Sequence, residues 1–207
     1  MANNDAVHAH QVRRRQTASL MRWLHIYLSM VSFAILFFFA ITGLTLNHPD
    51  WFANRARTTQ LKGTLAPNPA KPGPVETVDQ PALVASLRRA HGLQGTPGEI
   101  RVDETQCSVA FKGPGYSADA FVDRETGEYE LTETRLGLVA VLNDLHKGRD
   151  SGRLWSWIID LSAGLMTVVS LTGLVLLWFV KRRRVSGFLL AVAGGLLALA
   201  IYFLWVP

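Results

Sequence analysis

The chain has 207 residues, of which 49% are apolar and 18% are charged, a composition that favours a membrane protein. Its formal net charge of +5 comes from Arg- and Lys-rich clusters beside apolar segments, which favours anionic lipid over nucleic acid as partner. Cys107 is the only cysteine, so an internal disulfide is excluded. The sequence contains no Gly-rich phosphate loop, Cys pair or zinc-protease motif, so it does not encode flavin or nicotinamide binding.

Three segments are long and apolar enough to cross a bilayer, which takes about 20 apolar residues. Residues 23–47 carry no charge, residues 154–180 are apolar apart from Asp160, and residues 188–206 are apolar throughout. We predict three transmembrane helices. The first is too long for a signal peptide and is followed by no cleavage site, so we expect it to be an uncleaved anchor.

Lys and Arg near short loops predict the orientation, because such residues accumulate on the cytoplasmic side. They cluster in the tail, residues 1–22, and in the connection at residues 181–187. We therefore expect both to be cytoplasmic, with residues 48–153 and the C-terminus on the extracytoplasmic side. Residues 1–12 are polar and are expected to be disordered.

The extracytoplasmic part divides into three predicted regions. Residues 48–79 are rich in Pro, Gly and Thr and are typical of a linker. Residues 80–134 predict a small α+β module, in which a helix opened by Pro81 and ended by Gly92 precedes a four-stranded antiparallel sheet. The predicted strands are residues 99–103, 106–111 and 117–123, with Gly127 in the last hairpin turn and a closing strand through Tyr129 and Leu131.

Residues 135–153 contain an amphipathic helix at 136–146, with Gly148 as its expected stop. This helix either lies on the membrane surface or forms the first turns of the second span. The spans also share a short echo, Thr42-Gly43 in the first and Thr172-Gly173 in the second. Glycine in a membrane helix permits close approach of another helix or of a flat ligand, and helix packing is the simpler interpretation.

Three histidines lie at the ends of the predicted spans: His25, His48 and His146. An imidazole at a membrane rim is costly to desolvate and binds metals well, so each is a candidate ligand. His25 and His48 lie about 35 Å apart along a helix and cannot share a metal within one chain. His48 and His146 both lie on the extracytoplasmic side, so we predict that they are the axial ligands of one haem.

Lys147, Arg149 and Arg153 follow His146, where haem propionates would need cations. The alternative is that they reach lipid headgroups, as basic residues beside spans commonly do. Asp160 could orient a ligating imidazole, bond to a nearby hydroxyl, or be hydrated at shallow depth.

His25 lacks a histidine partner at the cytoplasmic ends of the other spans. A second haem there would need a ligand from another subunit, a partner protein, or His8 or His10 of the tail. Alternatively, His25 is an interfacial residue beside Trp23 and Tyr27, or part of a helix-packing seam. His91, at the end of the module's helix, is expected to be structural.

The order and spacing of these motifs resemble the PepSY-associated transmembrane helix family over most of residues 20–180. The resemblance rests on Trp23-Leu24-His25, Thr42-Gly43, His48, Leu145-His146-Lys147-Gly148 and Thr172-Gly173. Residues 80–134 look like a single PepSY domain, on Val122-Asp123-Arg124-Glu125-Thr126-Gly127-Glu128.

The resemblance implies a small inner-membrane protein that holds haem b and transfers electrons, because some members reduce ferric siderophores in the periplasm. It implies a membrane redox partner or homo-oligomer, and a ferric siderophore or periplasmic protein as the second partner. The larger reductases have four or more spans, so whether this chain is an enzyme stays open. The alternative is a non-enzymatic, membrane-anchored PepSY module that binds or regulates a periplasmic protein.

Overall fold

A computed structural model describes residues 2–71, 73–74 and 78–207; the side chains of residues 2–7, 9, 10 and 53–55 lie outside that description. Residues 72 and 75–77, within the predicted linker, also lie outside it. The chain divides into two compact units, one formed by residues 1–37 with 160–207 and the other by residues 38–159.

Five α-helices, a 3-10 helix and five strands follow one another along the described chain. Their bounds are α1 Ala2–Asn47, the 3-10 helix Pro49–Arg55, β1 Arg57–Thr64, α2 Gln80–His91, β2 Thr96–Val102, β3 Gln106–Gly113, β4 Tyr116–Asp123, β5 Glu128–Arg135, α3 Leu138–Lys147, α4 Gly152–Phe179 and α5 Arg184–Trp205.

Three helices are long and apolar enough to cross a membrane, at Gln11–Asn47, Gly152–Phe179 and Arg184–Trp205, as predicted. The expectation of a disordered N-terminus differs from the structure, in which α1 begins at Ala2. The reason lies in the sequence, since no Gly or Pro interrupts the chain before Gly43 and residues 11–22 include many strong helix formers.

The spanning helices bury polar side chains and expose apolar ones. Among the described residues, the buried side chains of α1 and α4 are hydroxyl-bearing: Ser32, Thr42, Ser162 and Thr172. Helix α5 buries none. Lipid is as apolar as Leu, so such helices gain little from burying apolar side chains against protein and instead bring small and polar residues together.

The second unit contains an antiparallel sheet of five strands in the order β1-β5-β4-β3-β2. One face of β3 and β4 forms the core with α2 and includes Cys107, Val109, Phe111, Ala120 and Val122. The predicted strands and the burial of Cys107 are confirmed. The core is continuous because alternate residues of each strand face the helix.

Strand β1 corrects the assignment of residues 48–79 to a linker. Residues 57–64 pair along their whole length with β5, so that Leu61 lies opposite Leu131. The Thr-rich sequence suits a strand, but β1 is an edge strand with mostly exposed residues and lacks the apolar alternation that predicts one.

Helix ends and turns follow their expected chemistry. Asp79 caps α2 by accepting from the Ala82 amide, and Gly92 ends that helix in the left-handed conformation with φ 63°. In the β4–β5 turn the Asp123 carboxylate accepts from the amides of Glu125 and Thr126, and Gly127 has φ 73°. The Gly92 and Gly127 predictions are confirmed.

Helix α3 is a separate helix and not the first turns of α4. Gly148 closes it in the left-handed conformation, and its amide bonds to the carbonyls of Asp144 and Leu145. Asp150 and Gly152 also have positive φ, 54° and 79°. Successive left-handed positions cannot continue an α-helix, which explains the break.

Arg124 is the largest fully buried side chain, with 1% of its surface exposed. Within the described chain, its guanidinium donates to main-chain carbonyls of two segments that flank the sheet: Ala70, Lys71, Gly73, Asp103 and Glu104. The planar fork of donors ties the arm before α2 to the β2–β3 turn. The arm therefore belongs to the folded module.

We predict that Arg124→Lys opens the module. Lysine cannot supply the fork, several buried carbonyls lose their donor, and the free energy of opening should fall by about 3 kcal/mol. Maleimide labelling of Cys107, the single thiol, reports opening of the core in the full chain and should become roughly a hundredfold faster. Arg101→Lys, at an exposed position of β2, is the control and should leave the labelling rate unchanged.

Candidate functional site

The first candidate site surrounds His146, in the last turn of α3. The Nδ1 atom of His146 lies 2.6 Å from the Thr42 hydroxyl oxygen in α1. The same hydroxyl lies 2.6 Å from the Phe38 carbonyl, one helical turn earlier, to which it donates. The hydroxyl has a single proton, so when it donates to the carbonyl its oxygen accepts from His146 Nδ1–H.

Three further contacts fix the surroundings of His146. The Thr45 hydroxyl donates to the Asn143 side-chain oxygen over 2.6 Å, one turn from the Thr42–His146 contact on each helix. The Phe39 ring meets the imidazole edge to face, with 4.9 Å between centroids. The Trp155 indole donates to the Leu145 carbonyl beside His146. The imidazole is therefore oriented on several sides.

The second candidate site surrounds His25, in α1. Its Nδ1 atom lies 3.1 Å from the Val169 carbonyl and 3.0 Å from the Thr172 hydroxyl oxygen, both in α4. A carbonyl can only accept, so Nδ1 carries the proton. The Thr172 hydroxyl itself donates to the Val169 carbonyl over 2.8 Å and leaves its oxygen free to accept.

The contacts at both sites fit the same tautomer, with the proton on Nδ1 and the lone pair on Nε2. Metal-bound histidines are arranged in this way, with one ring nitrogen donating to an oxygen and the other on the metal.

A glycine follows each threonine and lets the ring approach the helix. A Cβ atom placed at Gly43 would lie 3.7 Å from His146 Cε1, an ordinary contact. At Gly173 it would lie 3.2 Å from His25 Cε1, which is tighter than most real contacts. Gly173 is thus the more demanding of the two positions.

The other predicted site residues have different surroundings. His48 precedes the 3-10 helix, and its ring stacks on Trp51 with 4.1 Å between centroids. Arg149, Arg153 and Asp160 are exposed. The pairing of His48 with His146 on one iron, and the role of the arginines at propionates, stay predictions.

Sequence reasoning missed the threonines as partners of the histidines. The Thr-Gly pair that occurs in both spans was the sequence feature that could have indicated them. The structure shows each Thr-Gly pair in contact with a histidine. His91 has the structural role expected of it, since its Nε2 atom lies 2.6 Å from the Tyr129 hydroxyl.

The set of donor atoms suits a cofactor that needs few protein ligands. Within the described parts of the chain, no three His, Cys, Asp or Glu side chains converge as a metal site. A haem iron needs only one or two axial ligands from protein, and neutral imidazole is a common one. The Nδ1–H tautomer of His25 and His146 fits that requirement.

These features define a class: a helical membrane protein with an antiparallel-sheet module. The model of the PepSY_TM-like family matches residues 19–207, and the chain belongs to this family. The resemblance seen in the sequence is thereby confirmed. A search of curated proteins found no match, and neither did a search of solved structures.

We predict that His146 makes stability depend on pH. Burial, and then the nearby Lys147 ammonium, lower the pKa of His146 below its ordinary value. As the pH falls below about 6.5, the unfolded chain takes up this proton before the folded chain does, so stability is lost. Thermal unfolding of haem-free protein in detergent should show a falling midpoint below that pH.

His146→Gln is the matched variant for this measurement, because glutamine is polar and does not titrate. Its midpoint should fall less steeply over the same pH range. Parallel curves for the two proteins would contradict the assignment.

Proposed function

We propose that the protein is a b-type haem protein that transfers electrons at the membrane, toward reduction of a ferric siderophore or another metal. The observation that supports this most is that Nδ1 of both His25 and His146 contacts a threonine hydroxyl of another helix, a contact that fits a proton on Nδ1. An imidazole held through Nδ1–H keeps the Nε2 lone pair that an iron ligand needs.

Under this proposal, individual residues have the following roles. His146 and His48 would hold an outer haem, and Arg149 and Arg153 would bind its propionates. His25 would hold a second haem, with a ligand from another subunit, from a partner, or from His8 or His10 of the tail. Haem would supply one-electron transfer, and the chain's part is to orient the imidazoles.

The proposed setting is a bacterial inner membrane, with residues 1–22 and 181–187 cytoplasmic and the sheet module periplasmic. The charges support it. The predicted outer segment, residues 48–153, carries 13 Lys and Arg against 14 Asp and Glu, whereas both predicted inner regions are strongly basic. Reporter fusions after residues 50 and 184 should give periplasmic and cytoplasmic signals respectively.

The first test is an absorbance spectrum of protein purified from haem-replete cells. We expect a Soret band that shifts and sharpens on reduction, and its outer-haem component should be lost in His48→Ala and in His146→Ala. His91→Ala, in the sheet module, is the control and should leave the spectrum intact. A colourless wild type would favour the alternative, a membrane-anchored module that binds a periplasmic protein.

The second test concerns the threonines. Thr42→Val keeps the shape of the side chain but removes the acceptor of His146 Nδ1–H, and such losses cost about 10–100-fold in metal affinity. We expect haem titration of the full chain to show weaker binding by about that factor, with Thr42→Ser restoring it. Thr167→Val, an exposed threonine of α4 that bonds within its own helix, is the control. An unchanged haem affinity in Thr42→Val would contradict the proposed role of Thr42.

A further inference from the structure

The amino-terminal part of α1 presents a basic face beyond the charge-free segment. Gln11, Arg14, Arg15, Ala18 and Arg22 recur at helical spacing and therefore lie on one side of the helix. Ala18, in the middle of this face, has the small side chain. The long arginine side chains thus surround a shallow depression.

This face lines an open pocket of about 400 Å³ together with Phe179 and Lys181, at the end of α4. All of these residues belong to the same compact unit. The Arg14 guanidinium lies over the Phe179 ring, 5.9 Å from its centroid, which helps to fix its position. The pocket therefore combines four cations with an aromatic wall.

No described side chain neutralises the charge in this pocket. Its lining includes no Asp or Glu. The ion pairs formed within the described chain are Lys62–Glu130 and Arg135–Glu133, and neither involves a pocket residue. Several clustered, unpaired cations repel one another, so an anion bound among them is strongly favoured.

The position of the pocket indicates where the anion comes from. Arg22 directly precedes the charge-free segment, which begins with the Trp23–Tyr27 aromatic contact. Trp and Tyr mark the headgroup level of a bilayer, and Phe179 is the last residue of the apolar helix α4. In a bilayer that α1 and α4 span, we expect these cations at the level of the lipid phosphates.

We propose that Arg14, Arg15, Arg22 and Lys181 form a binding site for the phosphate group of an anionic lipid, with Phe179 against its glycerol or acyl region. Guanidinium groups suit the site because they bind phosphate oxygens in pairs. This proposal does not depend on haem binding.

The test uses the full chain in neutral detergent, with lipid adducts counted by native mass spectrometry. Phosphatidylglycerol should form adducts in preference to zwitterionic phosphatidylcholine. The triple variant Arg14→Gln/Arg15→Gln/Arg22→Gln should weaken phosphatidylglycerol binding roughly a hundredfold, since each basic residue near an anionic surface contributes about fivefold.

The matched control is Arg13→Gln/Arg182→Gln/Arg183→Gln, which removes the same charge from exposed positions outside the pocket lining. It should keep most of the binding. Equal losses in the two variants would overturn the site, because net charge alone would then explain the affinity. Equal binding of the two lipids to the wild type would overturn it as well. Far-UV circular dichroism checks that both variants keep their helices.

Inorganic phosphate distinguishes the two sources of the anion. If the lipid is the ligand, millimolar phosphate should leave the phosphatidylglycerol adducts in place, because it lacks the contact with Phe179. If phosphate displaces the lipid and raises the unfolding temperature as much, the lipid source is overturned and a soluble phosphorylated ligand replaces it.

Discussion

The need to satisfy polar groups inside apolar helices governs both candidate sites. An imidazole and a hydroxyl at an interface between helices must each find a partner, because an unsatisfied buried polar group is costly. Here the histidine ring contacts a threonine hydroxyl, which itself donates to a carbonyl of its own helix. The carbonyl only accepts, so a hydroxyl that donates to it accepts from the histidine. This arrangement favours the tautomer with the proton on Nδ1.

The same arrangement occurs twice, and the two helices that supply the threonines share a pattern. Helix α1 buries Ser32 and Thr42, and helix α4 buries Ser162 and Thr172, with the same spacing and a glycine after each threonine. In α1 the threonine receives a histidine from α3, whereas in α4 it receives a histidine from α1. A short buried hydroxyl beside a glycine creates a shallow, polar notch in a helix, and an imidazole is the right size for it. The repeat of the notch explains the repeat of the site.

The sequence predicts the features that rest on periodicity and length. The three spans, strands β2–β5, and the stops at Gly92 and Gly148 follow from apolar runs, alternation and backbone chemistry. Strand β1 could not be predicted in that way, because an edge strand is stabilised by main-chain pairing that leaves no apolar pattern. The five hydrogen bonds that the Arg124 guanidinium donates depend on carbonyls that folding brings together. At the site, the histidines and the repeated Thr-Gly pair are visible in the sequence, but their contact is not, because contacts between helices depend on packing.

The sheet module and the histidine sites accommodate a basic group in different ways. In the sheet module, main-chain carbonyls surround the Arg124 guanidinium and accept its hydrogen bonds. At the His146 site the surroundings instead lower the affinity for a second proton, as the depressed pKa of His146 shows. A charged imidazole would have no lone pair on Nε2 and could not bind a metal. When Nδ1 donates to the threonine, Nε2 keeps its lone pair, so the contact that stabilises the helix interface also determines which ring nitrogen can accept.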